Sequence, residues 1–594
     1  MRNILIILFL SISSVVAAQS ELLAKNYFEQ GEYEKARSIY DKLLQQNPGR
    51  LDYFLMLVQS NQQLEQFSEA EKLLLDKLAE RRVNPLYYVE LGYNYSLQQN
   101  EIQALIYYNK AIDFTIESPN YAYSVGDSFS RYSLLDQAIM VYEKAMEADP
   151  EKDFNLHLAR IYGEQGNLEK MFSKYIDLIK SNAGYKGAAQ QGFSQYITED
   201  PTNEANILLR KTLLQKSQER PDLLYNQLLS WLFVQQKEFK KAFTQEKAIY
   251  KRLEQEDLSG IIDIGIIAIS EKDYENARDI FNFVVENSAT PEAKLQGHQF
   301  LMKIALDTAT PKEYQKIEQQ FETLFAEYGL GARTYLLQID YNHFLAFQAG
   351  KKEVAIANLK ALTNERLTSY QEARVKMELS DILVFDEKFN QALIYYSQIQ
   401  KRVNSDVLAQ EARFKVARTS YFKGDFQWAQ VQLDVLRKSA SQLIANDAMQ
   451  LSLLIRDNSL EDSTQAAIKK YARADLMALQ NKNTEAISAL EEILTNHKGE
   501  KIEDEALLKQ GQLFELTGQF KKAEANYLKI LEFYKDDILA DDAVYRLAKL
   551  YEEQLLLPEK AKAYYEQLIF NYADSIYFVE ARKKYRSLRG DAIN

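Results

Sequence analysis

Apolar positions along this chain recur with a helical spacing, and that spacing itself repeats. Four alanines, Ala36, Ala70, Ala104 and Ala138, stand 34 residues apart, and four residues after each comes a large apolar side chain: Tyr40, Leu74, Tyr108 and Tyr142. Residues i and i+4 share one face of a helix. Each unit can therefore bring two helices close at the alanine and fill the next gap with the bulky residue. The pattern continues at Met171 with Tyr175, in weaker copies at Ala205, Ala242, Ala277, Ile317 and Ala355, and in clearer ones at Ala392, Ala429, Ala486, Ala523 and Ala561. A period of this length predicts a stacked array of helical hairpins rather than separate globular domains.

The spacing then widens. From Ala392 to Ala429 and from Ala486 to Ala523 it is 37 residues, and from Ala523 to Ala561 it is 38, the extra residues being expected in longer turns. From Ala429 to Ala486 it is 57, too short for two units and too long for one, which predicts one additional helix over 441–455 and a boundary between two arrays. The chain divides into a leader (1–18), an amino-terminal array (19–182), degenerate hairpins (183–345), further repeats (346–440), the extra helix with its connection (441–462), and carboxy-terminal repeats with a capping helix (463–594). In that cap Val579, Tyr585 and Leu588 are expected to face inward, with Arg582, Lys583, Lys584 and Arg586 outward, because a stack needs a polar-faced end.

The third unit carries Tyr88, Leu91-Gly92, Tyr95, Ala104, Tyr108 and Ala111, and the fourth Val125-Gly126, Phe129, Ala138, Tyr142, Ala145 and Pro150. These residues resemble the tetratricopeptide repeat, a pair of antiparallel helices. The resemblance implies an all-α fold, a right-handed superhelical solenoid of about fourteen antiparallel helix pairs in one array or two, and a non-catalytic scaffold that binds proteins along a groove. It places Gln59, Gln62, Tyr93, Tyr123, Asp127, Arg131 and Arg160 on that groove. Tyrosine and arginine there are good anchors for a partner, since they bury large area at modest entropic cost. Repeats of this family that clamp a carboxylate use a lysine and an asparagine at set groove positions. Here those positions hold Leu55 with Gln59 and Val89 with Tyr93, so carboxylate clamping is not supported. Tyr572, Ser575 and the Glu580-Ala581-Arg582 run are similar to closing repeats of periplasmic proteins of outer-membrane barrel assembly and of the Tol-Pal system, which implies a role in envelope assembly.

Composition adds the compartment. The first residues run from Arg2 through an apolar stretch, Ile4 to Leu10, to Val16-Ala17-Ala18, which reads as a secretory signal peptide cleaved after Ala18. The stretch is shorter than the roughly 20 residues a membrane span requires, so no stable membrane insertion is expected after cleavage. The chain has no cysteine, hence no disulfide, no thiolate metal site and no lipid-bearing cysteine. The expectation is an exported protein, periplasmic or outer-membrane-associated in a Gram-negative bacterium. With 20 glycines and 9 prolines in 594 residues, there is little material for the tight turns of an all-β chain. A formal charge of −13 repels phosphate backbones, so the expected partners are proteins and not nucleic acid.

Catalytic chemistry has little to stand on. No P-loop, nucleophile elbow, zinc-protease motif or dinucleotide fingerprint occurs, and the expectation is no enzyme, no cofactor and no metal. His157, His298, His343 and His497 lie in different units. The acidic runs Glu503-Asp504-Glu505 and Asp541-Asp542 fall at expected first turns of helices, where carboxylates offset the macrodipole. The 39 tyrosines read mainly as core. An alternative is a glycan- or peptidoglycan-binding repeat protein that uses stacked aromatics, with Trp231 as its reporter.

Overall fold

A computed structural model describes residues 20–253, 257–403, 407–439, 442–459 and 465–591. The expected leader, 1–18, lies outside the described residues, as do Ser441 and 460–462 of the expected extra segment. Every regular element among the described residues is helical. The chain forms two compact units, the first ending at Glu254 and the second beginning at Gln255. The division thus falls inside the degenerate middle third and not at the 57-residue interval.

Within the first unit, helix 20–29 pairs with Tyr33–Gln46, Leu51–Gln63 with Phe67–Leu78, Leu86–Leu97 with Glu101–Glu117, Ala122–Arg131 with Leu135–Ala148, and Asn155–Glu164 with Leu168–Ser181. The rhythm of small and bulky residues is what brings them together. Ala36, Ala70, Ala104 and Ala138 have no exposed surface, and Tyr40, Leu74, Tyr108 and Tyr142 are buried beside them. Across from Tyr108 and Tyr142 the first helix offers no side chain at all. A Cβ added to Gly92 would lie 2.5 Å from Tyr108 Cδ1 and Cε1, and Gly126 faces Tyr142 in the same way. The motif Leu-Gly in the first helix is therefore the socket for the aromatic ring of the second. Where Met171 replaces the alanine, Gly163 supplies the missing space, since a Cβ there would meet Met171 Sδ at 2.9 Å.

The hairpin turn is equally regular. Gly31, Glu65, Gln99, Ser133 and Gly166 have left-handed φ of 77°, 58°, 61°, 57° and 73°. After each of the first four, the next backbone N–H donates to a carbonyl five residues back: Glu32 to Tyr27, Gln66 to Asn61, Asn100 to Tyr95, Leu134 to Phe129. This is the Schellman closure of a helix, which fixes the direction in which the chain leaves. Lys272, Glu387, Gly424, Asn481 and Gly518 repeat it in the second unit.

The second unit keeps the packing that its sequence obscures. Ala277, Phe281, Ile317, Phe321, Ala355 and Leu359 are all buried. The wider spacing is taken up mainly inside helices rather than in the expected longer turns. Leu86–Leu97 has 12 residues, whereas Val407–Lys423 has 17 and Ile502–Leu516 has 15. The Schellman turn has a set number of bonds and takes no insertion, while an extra helical turn simply lengthens the contact. Before Ala561 the helix Ala540–Lys549 also relaxes into a π turn, Leu550–Gln554. The 57-residue interval contains a helix of its own, Gln442–Ser459. Ala466–Leu479 nevertheless reaches past it, with Arg473 bonded to Glu387 at 2.7 Å and Gln480 to the Phe385 carbonyl at 2.9 Å.

In the closing helix, Phe578–Arg589, Ala581 is buried and Tyr585 and Leu588 pack on the core. Val579 is 79% exposed, a correction to its expected inward position: the helix turns Ala581 to the core, and Val579, two residues earlier, lies about 200° away. Lys584 is not free in solvent either, since it pairs with Glu552 at 2.9 Å.

Tyrosines do more than fill space. The phenol of Tyr565 donates to Glu552 at 2.6 Å, Tyr162 to Glu143 at 2.9 Å and Tyr577 to Asp542 at 2.7 Å. Tyr396 donates to Asp381 and Tyr527 to Glu515. Each ring sits among apolar neighbours while its hydroxyl ties one helix to a carboxylate on another.

Candidate functional site

The expected groove residues lie on successive first helices of the first unit, and Gln59, Tyr93, Asp127 and Arg160 occupy equivalent places in consecutive repeats. The structure splits them into an inner, bonded set and an outer, accessible set.

The inner set is organised by a residue that the sequence pattern did not single out. Glu90 is 1% exposed. Its carboxylate accepts from Gln59 Nε2 at 3.0 Å and from the Tyr132 hydroxyl at 2.8 and 2.9 Å. Burial pushes the Glu90 carboxyl above its ordinary range, although the Tyr132 and Gln59 hydrogen bonds oppose that push. Burial likewise drives the Tyr132 phenol far up, helped by the adjacent Glu90. Tyr93 stacks on Tyr132 with ring centres 3.8 Å apart and 13° between planes. Gln62, expected on the groove surface, is buried instead and donates to the Glu90 carbonyl at 3.2 Å. Its amide is spent inside the protein because a buried backbone carbonyl needs a donor. The signal for this network was a glutamate inside the apolar run Leu86 to Leu91, which is costly unless bonded.

The outer set is open. Tyr123 is 57% exposed and meets His157 edge-on at 5.5 Å. His157 is held between Tyr123 and Tyr142. Burial, with Arg160 nearby, lowers the pKa of His157. Asp127 and Arg131 form an exposed pair at 3.2 Å, one helical turn apart. Such a pair contributes little stability and is readily exchanged for a partner's charges. Arg160 lines a cavity of about 330 Å³ with Met171, Tyr175 and Tyr196. Cation, anion and aromatic groups thus stand side by side over a base fixed by the Glu90 network. Such a surface can hold a polar peptide.

Among the described residues no group of three histidine, aspartate or glutamate side chains is placed to hold a metal ion, and no helix is long and apolar enough to cross a membrane. Trp231, the expected glycan reporter, lies tilted against Phe193 with ring centres 6.0 Å apart.

Residues 27–88 match one family model described as Tetratricopeptide repeat, and residues 505–537 and 542–575 match another of the same description. A stretch of 182 residues is 26% identical to the human Protein O-mannosyl-transferase TMTC1 and covers 30% of this chain. The chain spans only 20% of the length of that relative. Among solved structures, the Naa15/Naa10 complex bound to HypK-THB has a chain 12% identical, with a TM-score of 0.26 and coverage of 97% of this chain and 96% of that one. A chain of the APC/C hetero-tetramer Cut9-Hcn1 is 13% identical, with a TM-score of 0.25 and coverage of 96% of each chain.

Proposed function

We propose that this tetratricopeptide-repeat protein is a non-catalytic scaffold that binds partner proteins through the face carrying Tyr123, Asp127, Arg131 and Arg160, and that it works in a bacterial envelope. The observation that carries the reading is the division of that face. Its inner residues are locked in the Glu90 network, while an aromatic and two arginines remain accessible on consecutive repeats. A stack of helical pairs has no single active-site cleft, and its activity lies in what its surface holds. The envelope location rests on the apolar stretch that follows Arg2, read as a secretory signal. A role in envelope assembly rests on the resemblance of the closing repeat.

The rings of Tyr108, Tyr142, Tyr396, Tyr527 and Tyr565 are buried in the core and offer no face to a stacked sugar, which makes a glycan ligand the less favoured reading. Mannosyl transfer is not carried over from the human relative, because this chain spans only 20% of its length.

The test is photo-cross-linking in intact cells from a photoreactive residue at Tyr123, with Ile102, exposed on a second helix, as the comparison position. The expected result is a discrete protein captured from position 123 and lost with Arg131→Ala plus Arg160→Ala. Capture that is identical from both positions, or no capture from an abundant protein, overturns the reading of this face.

A further inference from the structure

The inserted helix Gln442–Ser459 leaves a cavity in the second unit that the repeat pattern alone would not create. Its volume is about 540 Å³, and its walls come from that helix, from Val407–Lys423, Ala466–Leu479 and Ile502–Leu516, and from the start of Ala540–Lys549. Five carboxyl groups line it, those of Asp447, Asp457, Asp475, Glu505 and Asp542, against one guanidinium, that of Arg418. Leucines and Phe414 line the space between them.

Two polar atoms in this wall are buried with nothing to bond. Tyr421 has no exposed surface, and its hydroxyl has no hydrogen-bond partner. Several tyrosines of this chain spend their phenols on carboxylates; the Tyr108 hydroxyl is also unpartnered, but Tyr421 is the one of the two that lines this cavity. Glu505 Oε2 is also buried and unpartnered, although Oε1 accepts from Asn458 at 3.0 Å. Burial, with Asp504 alongside, holds the Glu505 carboxyl well above the ordinary range. Asp475 is already matched by Lys509 at 2.5 Å, and Asp542 accepts from Tyr577. Beyond Arg418, what this acidic wall lacks is a second donor group carrying positive charge, reaching in past the leucines.

We propose that this cavity receives the ammonium or guanidinium group of a lysine or arginine side chain borne by a partner protein, bonded by Tyr421 and Glu505 with its methylene stem against the leucines. The groups facing Glu505 are Asp504 on its own helix, Asn458 and Asp457 on the inserted helix, Arg418 and Tyr421 on Val407–Lys423, and Tyr471 and Asp475 on Ala466–Leu479. The entering cation favours the ionised carboxylate, whose proton leaves to solvent. That the cation arrives on a protein rests on the scaffold reading; the cation chemistry does not.

The experiment is fluorescence anisotropy of the full chain with a labelled Leu-Lys-Leu peptide, its Leu-Gln-Leu counterpart, and cadaverine as competitor. Tyr421→Phe is the central variant. Its hydroxyl bonds nothing in the empty protein, so the variant should fold as well as the wild type or better while binding is weakened on the order of tenfold. Glu505→Gln keeps the shape of the neutral acid and should weaken binding similarly. Binding of the lysine peptide alone, displaced by cadaverine only in large excess, supports a protein-borne cation. Cadaverine binding more tightly than the peptide overturns the protein source and assigns the site to a free diamine. Equal binding of both peptides, or undiminished binding in both variants, overturns the site. Each of these outcomes is separate from capture at Tyr123, which lies in the first unit.

Discussion

Gly92→Ala adds one methyl group to the middle of a helix, a change that ordinarily stabilises. In an open helical position, replacing glycine with alanine is worth ~0.5–1 kcal/mol, because glycine loses more backbone freedom on folding. At Gly92 the new Cβ would stand 2.5 Å from two ring carbons of Tyr108. The ring cannot swing aside freely, since it is 2% exposed and meets Phe129 of the next repeat edge-on at 5.4 Å. Overpacking of this kind costs ~1–3 kcal/mol. The balance is a net loss of roughly 1–2 kcal/mol, or about 5- to 30-fold in the local opening equilibrium. Peptide-resolved hydrogen exchange reads it directly, as faster exchange in Leu86–Leu97 and Glu101–Glu117. Gly187→Ala is the paired control: that glycine is helical with nothing within 4 Å of its Cβ position, and exchange there should slow. A second check places Gly92→Ala in a Tyr108→Leu background, where the added methyl should cost nothing further. Slower exchange at both glycines, or an unchanged cost once the ring is gone, refutes the socket argument.

Three further outcomes are expected. Tyr565→Phe removes the phenol that donates to Glu552 and should cost ~1–3 kcal/mol in urea unfolding followed by the fluorescence of Trp428. Burial alone would raise Glu552, but the bonds from Tyr565 and Lys584 outweigh it and its pKa is lowered from 4.5; the stabilisation is present above that value and should fade as pH falls below it. In a histidine-selective NMR titration, with each signal assigned by a His→Gln variant, His343 should titrate above 6.5 through its 2.9 Å bond to Glu378, and His157 and His298 below it through burial. The His343 contribution to stability is complete below the ordinary value and lost as pH rises through the raised one; a His343 that titrates at or below His157 contradicts the geometry. Leu556→Gly relieves a left-handed φ of 52° at a side chain that is 73% exposed and should raise the melting temperature, by up to ~1 kcal/mol of stability; a fall would place an unrecognised packing role on Leu556.

The helical hairpin was legible because it rests on local geometry. Ala104 and Tyr108 must share a face whatever follows them, and Gly92 matches the tyrosine ring across one short turn. Even Ala277 with Phe281 and Ile317 with Phe321, in the degenerate middle, keep that packing. The division after Glu254 was not legible, since it depends on how successive hairpins pack and not on the pattern inside any one. The accessibility of the expected groove residues was read partly. Tyr123 and Arg131 are exposed as the family register implies, but Gln62 is buried, and the register cannot know that Glu90 lies beneath and draws Gln59, Gln62 and Tyr132 inward.

The acidic run at 503–505 shows how position on a helix overrides composition. As a first turn it reads as three carboxylates offsetting the macrodipole, and Glu503 does accept from the Gly499 N–H at 2.6 Å. Successive helical residues, however, are set about 100° apart, so Glu503 and Glu505 point some 200° from one another. If one faces the solvent at the helix start, the other faces whatever the helix packs against. Against an ordinary repeat partner that would be a hydrophobic wall, and a glutamate would be expelled. Here the facing element is Gln442–Ser459, whose Asn458 accepts the role of donor, and the space beside it is lined by Tyr421 and Asp475. The inserted helix and the buried acid therefore require one another. Without the insertion Glu505 would lose Asn458, the donor to its carboxylate, and without a polar group to receive, the inserted helix would pack there more stably with apolar side chains.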